Sequence, residues 1–137
     1  MDNFYIAPTA FSPEIKFSPQ ESTFIIKGSS RPEDVRELFD PALEWLSGYL
    51  ESIKEGHPHQ YTGNNPLIFQ FDMEYFNSSS AKFFYDFIIM IKRFRSAGIP
   101  VSIVWYYDPE DTDMKEAGED LSILSGMEFI YIRKSGE

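Results

Sequence analysis

A chain of 137 residues, 42% hydrophobic and 17% aromatic, has the length and apolar content of one folded domain spanning residues 1–137. Twenty-two acidic against twelve basic residues leave a formal net charge of −10, so there is no basic stripe with which to neutralise nucleic-acid or anionic-lipid phosphates. Cysteine is absent, which removes disulfide frameworks, thiolate zinc sites and cysteine nucleophiles.

Met1-Asp2-Asn3-Phe4 lacks the charged-then-apolar order of a signal peptide. No apolar run approaches the roughly 20 residues that span a bilayer. The expected location is therefore the cytoplasm, with no membrane partner. The acidity serves solubility or suits a basic protein partner.

Ile15-Lys16-Phe17 and Thr23-Phe24-Ile25-Ile26-Lys27 read as a short antiparallel strand pair, turned through residues 18–22. Ser30 and Glu33 fit a capping box, with Pro32 in the first turn of the helix that follows. Val35, Leu38, Phe39, Leu43, Leu46, Tyr49, Leu50 and Ile53 keep helical spacing. Pro41 interrupts it, so Asp40 either caps a second helix or precedes a kink in a single one. Residues 55–66 carry the Gly, Pro and Asn of a loop.

Leu67-Ile68-Phe69-Gln70-Phe71 reads as a buried strand, followed by the polar knot Asn77-Ser78-Ser79-Ser80. A helix should run from about Ser80 to Ala97 and stop at Gly98, with Lys92, Arg93 and Arg95 favouring its C-terminal dipole. Val101 to Tyr106 is a β-branched and aromatic strand, residues 111–124 an acidic helix, and Glu128 to Ile132 a last strand. Strands alternating with helices predict an α/β fold with a mostly parallel sheet, preceded by the antiparallel pair.

Few patterns point to catalysis. Asp108, Glu110, Asp111, Asp113, Glu116, Glu119 and Asp120 follow a strand end, where carboxylates can hold Mg²⁺. As an EF-hand loop the run fails, because Asp113 stands where the turn needs glycine. A solvated acidic turn that favours the helix dipole, or a partner surface, explains it without metal. His57 and His59 are too few for zinc without further ligands. Gly-x-Ser-x-Gly and glycine-rich phosphate loops are missing. Phe83, Phe84, Phe87 and Phe94 lie at the spacing of a helix face turned to the core.

The serine knot stands out. One hydroxyl suffices to cap a helix, worth about 1 kcal/mol, and three are present. A phosphate there would bring a charge of about −1.5 to −2 to a turn whose free N–H groups and dipole favour anions.

Leu67 to Lys82, with the run Asp72-Met73-Glu74-Tyr75-Phe76-Asn77-Ser78-Ser79-Ser80-Ala81-Lys82 at its end, resembles the signature of the SiaC family of bacterial regulatory phosphoproteins. Ser12-Pro13-Glu14-Ile15, Gly28 to Glu33, Pro41 with Trp45-Leu46 and Tyr49, Trp105-Tyr106-Tyr107, Asp113-Met114 and Gly118-Glu119 are similar to it in the same order. The resemblance implies a fold like the STAS domains of anti-anti-sigma factors and a partner-switching role without catalysis or cofactor. A Ser/Thr protein kinase would phosphorylate the start of the second helix and a PP2C-type phosphatase would reverse it. The unphosphorylated form would bind and activate a diguanylate cyclase, a GGDEF protein, raising cyclic di-GMP and favouring biofilm growth.

The family's modified threonine, in an Asn-Thr-Ser-Ser-Ser-Lys pattern, falls on Ser78, and Ala81 replaces the last serine of that pattern. Ser78 is therefore the expected phosphorylation site, with Ser79 and Ser80 as alternatives or as caps. Tyr75, Asn77 and Lys82 are expected to support the site, and Arg31, Glu33, Asp111 and Asp113 to form a partner surface. The free chain is expected to be a monomer. Two other outputs remain open: an antagonist sequestering an anti-sigma kinase, and a metal-dependent enzyme using the carboxylates of 108–120.

Overall fold

A computed structural model describes residues 2–134; Met1 and residues 135–137, the ends of the expected 1–137 domain, lie outside it. The chain forms β1 (Phe4–Ile6), β2 (Glu14–Ser18), β3 (Thr23–Ser30), α1 (Val35–Lys54), β4 (Leu67–Phe76), α2 (Ser78–Ser96), β5 (Val101–Tyr107), α3 (Thr112–Ser125) and β6 (Phe129–Arg133). The six strands lie in sequence order in one sheet. β1, β2 and β3 pair antiparallel, and β3 to β6 pair parallel. The expected α/β architecture, with antiparallel N-terminal strands and three helices, is present.

Strand periodicity decides which face is buried. Phe17, Phe24, Phe69 and Ile103 stand in register across the sheet, as do Ile15, Ile26, Phe71 and Trp105. Phe17, Phe24, Phe69, Phe71 and Trp105 have no exposed surface. All three helices pack on this one face. Trp45 of α1 meets Phe17 with ring centroids 5.7 Å apart, Phe84 of α2 meets Phe71 at 5.4 Å, and Met114 of α3 accepts a 2.9 Å hydrogen bond from Trp105 Nε1. The alternate residues, among them Ile68 and Ile130, lie on the open face and stay 40% and 53% exposed. Residues 83, 84, 87 and 94 belong to the core, as their spacing predicts.

Several local expectations need correction. β1 is an additional edge strand, too short at three residues to show a period. Ser30 does not cap α1: it is the last residue of β3 and fully buried. Asp34 caps instead, its side chain accepting from Glu37 N–H, so Pro32 lies ahead of the helix. Of the two readings of Asp40-Pro41, one continuous helix is the outcome. The missing N–H of Pro41 would have faced the Glu37 carbonyl.

β4 extends five residues past Phe71, because buried Phe71 and Met73 continue the period of two. Ser29 and Ser30 follow it there, pairing with Tyr75 and Phe76 after a register shift at Gly28/Ser29. Gly28 takes φ +121° and has Pro13 close by: an added Cβ would lie 3.6 Å from the Pro13 Cα. α2 ends at Ser96, and Gly98 follows at φ +90°.

Candidate functional site

The serine knot lies where β4 becomes α2, at the C-terminal end of the parallel strands. Asn77 is extended and forms the N-cap: its Oδ1 accepts from the N–H of Ser80 at 2.9 Å and from the Ser79 hydroxyl at 3.0 Å. The expectation that Ser79 or Ser80 caps the helix is thus corrected. Asn77, the residue just before the helix, reaches the third helical N–H with the geometry capping requires. α2 starts at Ser78, two residues before the expected start.

The three hydroxyls have different surroundings. Ser80 is fully buried, its Oγ 2.7 Å from the equally buried Ser30 Oγ. A kinase cannot reach it without unfolding the turn. Ser79 is exposed but engaged with Asn77. Ser78, first in the helix, is exposed, and no described residue binds its hydroxyl. The N–H groups of Ser78 and Ser79 are those an α-helix leaves without internal partners. The first turn of α2 contains no acidic residue, so its dipole is not offset from within.

The turn is firmly anchored. The Asn77 N–H donates to the Ser30 carbonyl at 3.0 Å, fastening the start of α2 to the end of β3. Arg31, next in sequence, is therefore beside the knot. Its guanidinium lies 5.3 Å from the ring centroid of Phe11, which is 58% exposed. Glu33 is exposed in the link to α1.

Lys82, one turn above Ser78, is exposed and pairs with Asp86 at 3.2 Å. Its ammonium also lies 4.8 Å from the Phe83 ring centroid. Both contacts are weak, exposed ones that a closer dianion could outcompete. Tyr75 is half exposed and shares a groove with Asp111 and Asp113. Asp111 is also the cap of α3, accepting from Met114 N–H at 3.1 Å. The fold thus brings Arg31, Tyr75, Asn77, Ser78, Lys82, Asp111 and Asp113 to one end of the sheet.

Sequence reasoning missed Phe11 and Ser30. Phe11 lies in a loop without a local signal, and the local signal at Ser30 reads as a cap rather than as a buried partner for Ser80. Among the described residues, no group of three or more His, Asp or Glu side chains is arranged to hold a metal ion. His57 and His59 are exposed in the 55–66 loop. No helix among them is long and apolar enough to cross a membrane.

The sequence model of the SiaC family of regulatory phosphoproteins matches residues 6–134. The chain belongs to the SiaC family. A Pseudomonas aeruginosa protein is 28% identical over 120 residues, covering 88% of this chain and 87% of its own length. The solved structure of SiaC of Pseudomonas aeruginosa is similar with a TM-score of 0.74 and 26% identity, over 98% of this chain and 100% of that one. The crystal structure of the diguanylate cyclase SiaD in complex with its activator SiaC, from the same organism, gives a TM-score of 0.79 at 25% identity. It covers 96% of this SiaC family chain and 99% of the solved one.

Proposed function

We propose that this protein, when unphosphorylated, binds and activates a diguanylate cyclase, and that phosphate on Ser78 ends the contact. The reading is carried by one observation: of the three serines, Ser78 alone combines exposure, an unengaged hydroxyl and the first position of α2. Membership of a regulatory phosphoprotein family and likeness to an activator solved with its cyclase support the same reading.

The chain acts here by binding, in the cytoplasm, as one domain and without a cofactor. A Ser/Thr kinase adds the phosphate and a PP2C-type phosphatase removes it. The phosphate brings a charge of about −1.5 to −2 and three strong acceptors. Free N–H groups of the first turn receive it, and Lys82 leaves Asp86 to neutralise it. Arg31, beside the turn, adds a second cation. Ser80 stays locked to Ser30, so the core is unchanged and only the docking surface changes in charge and shape.

Mass-spectrometric mapping of protein isolated from its own cells should find phosphate on Ser78; phosphate confined to residues far from 78–80 overturns the site. Enzymatically phosphorylated protein should bind the cyclase at least tenfold more weakly than Ser78→Ala, with an unchanged melting temperature. Equal affinity overturns the mechanism. Capture of an anti-sigma kinase in place of a GGDEF protein would change the output but not the switch.

A further inference from the structure

A groove next to the serine turn has a chemistry that phosphate does not explain. It runs between the end of β4 and the first turns of α3. Phe76, Met114 and Ala117 make its apolar floor, and half-exposed Tyr75 makes one wall. The floor is rigid, since the Phe76 ring packs on Phe84 at 4.9 Å and on Trp105 at 6.0 Å.

Its rim is acidic. Glu74, Asp111 and Asp113 line it, and an adjoining hollow shares Glu74 and Asp111 and adds Asp108 and Glu110. Lys134, also in that hollow, is already bound to Asp72 at 2.5 Å. Among the described residues, the acidic side chains in ion pairs are Glu21, Glu51, Asp72 and Asp86. Among the described residues, the three carboxylates of the rim, and Asp108 and Glu110 in the adjoining hollow, therefore form no ion pair. Three unpaired carboxylates around an apolar floor, with two more in the adjoining hollow, favour a partner that supplies both missing components: positive charge at the edge and an apolar group at the centre.

We propose that this groove receives a cationic segment of the cyclase, one that seats an apolar side chain on Phe76, Met114 and Ala117 between flanking lysines or arginines. The proposal rests on the cyclase reading above. It also divides the surface into two parts. A phosphate on Ser78, two residues beyond Phe76, leaves the sign of the groove unchanged, so the groove's contacts survive phosphorylation. What phosphate breaks lies at the α2 turn.

The test uses the full chain and its cyclase, with affinity measured at several salt concentrations. Asp111 is left alone because it caps α3; Glu74→Lys with Asp113→Lys reverses two exposed charges, and Ala117→Arg obstructs the floor. The double charge reversal should weaken binding at least tenfold and flatten its salt dependence, and Ala117→Arg should weaken it as much. Melting temperatures of the variants verify that they are folded, and the exposed pair serves if Ala117→Arg is not. Binding of the charge-reversed variant within twofold of the unaltered protein, while Ser78 phosphorylation still releases the cyclase, overturns the groove and leaves the switch standing. Failure of the unaltered chain to bind any diguanylate cyclase overturns both.

Discussion

Four neighbouring polar residues divide the work of the site. Asn77 holds the turn, Ser79 steadies Asn77, Ser80 locks to Ser30, and Ser78 is left free. Their replacement costs should follow how deeply each side chain is buried and bonded. Asn77→Ala should lower stability by about 1 kcal/mol, the usual cost of a lost cap, read as a shift of the urea midpoint at constant slope. Ser80→Ala should cost about 1–3 kcal/mol, because the Ser30 hydroxyl loses its buried partner. Ser78→Ala should stay within about 0.5 kcal/mol, as for exposed positions without contacts. An equal loss at Ser78 and Ser80 would contradict the assignment of roles.

Among the elements, α3 comes closest to the sheet. Gly118 faces the ring of Trp105, and a Cβ there would lie 2.6 Å from the indole Nε1. The glycine is a packing requirement of a helix that seats on a fully buried tryptophan. Gly118→Ala should push α3 off β5, strain the Trp105 bond to the Met114 carbonyl, and cost about 1–3 kcal/mol. Tryptophan emission would report it as a red shift along with a lower melting temperature. Because Met114 also floors the proposed groove, the same change should disturb a partner bound there. Pro41 shows the opposite case, a helix breaker tolerated inside α1 because the segment buries Phe39, Ala42, Leu46, Tyr49 and Leu50. Burial of five side chains outweighs one missing hydrogen bond.

Across the whole molecule, a pair of tyrosines joins the long 55–66 loop to α1. The hydroxyls of Tyr49 and Tyr61 are 2.9 Å apart in a buried setting, and Gln60 ties the same loop to the Pro19 carbonyl at 2.8 Å. Burial pushes both phenols above the ordinary value of 10.0. In the unfolded chain they ionise near 10, while in the fold they remain neutral. The raised values contribute stability that is complete below pH 10 and lost as the pH climbs through the folded values. Chemical denaturation should therefore show stability falling with a steep slope above pH 10, and Tyr61→Phe should make that slope shallower. A slope unchanged by the substitution would mean that the pair is not protected in solution.

Much of the fold is legible in the sequence. The alternation of strands with helices, the aromatic face of α2 and the loop at 55–66 all follow from periodicity and breakers, which act over a few neighbouring residues. A hydroxyl-rich turn between buried elements was legible for the same reason. Which hydroxyl is free was not, because that depends on Ser30, fifty residues away in the chain and 2.7 Å away in space. The same limit hid the true cap of α1, since Ser30 and Glu33 satisfy a local pattern that strand pairing with Phe76 overrides. Local chemistry determined the elements and the place of the hydroxyl-rich turn. Parallel pairing of β3 with β4 decided which serine is buried, because only contacts between distant segments bury one hydroxyl and leave its neighbours exposed.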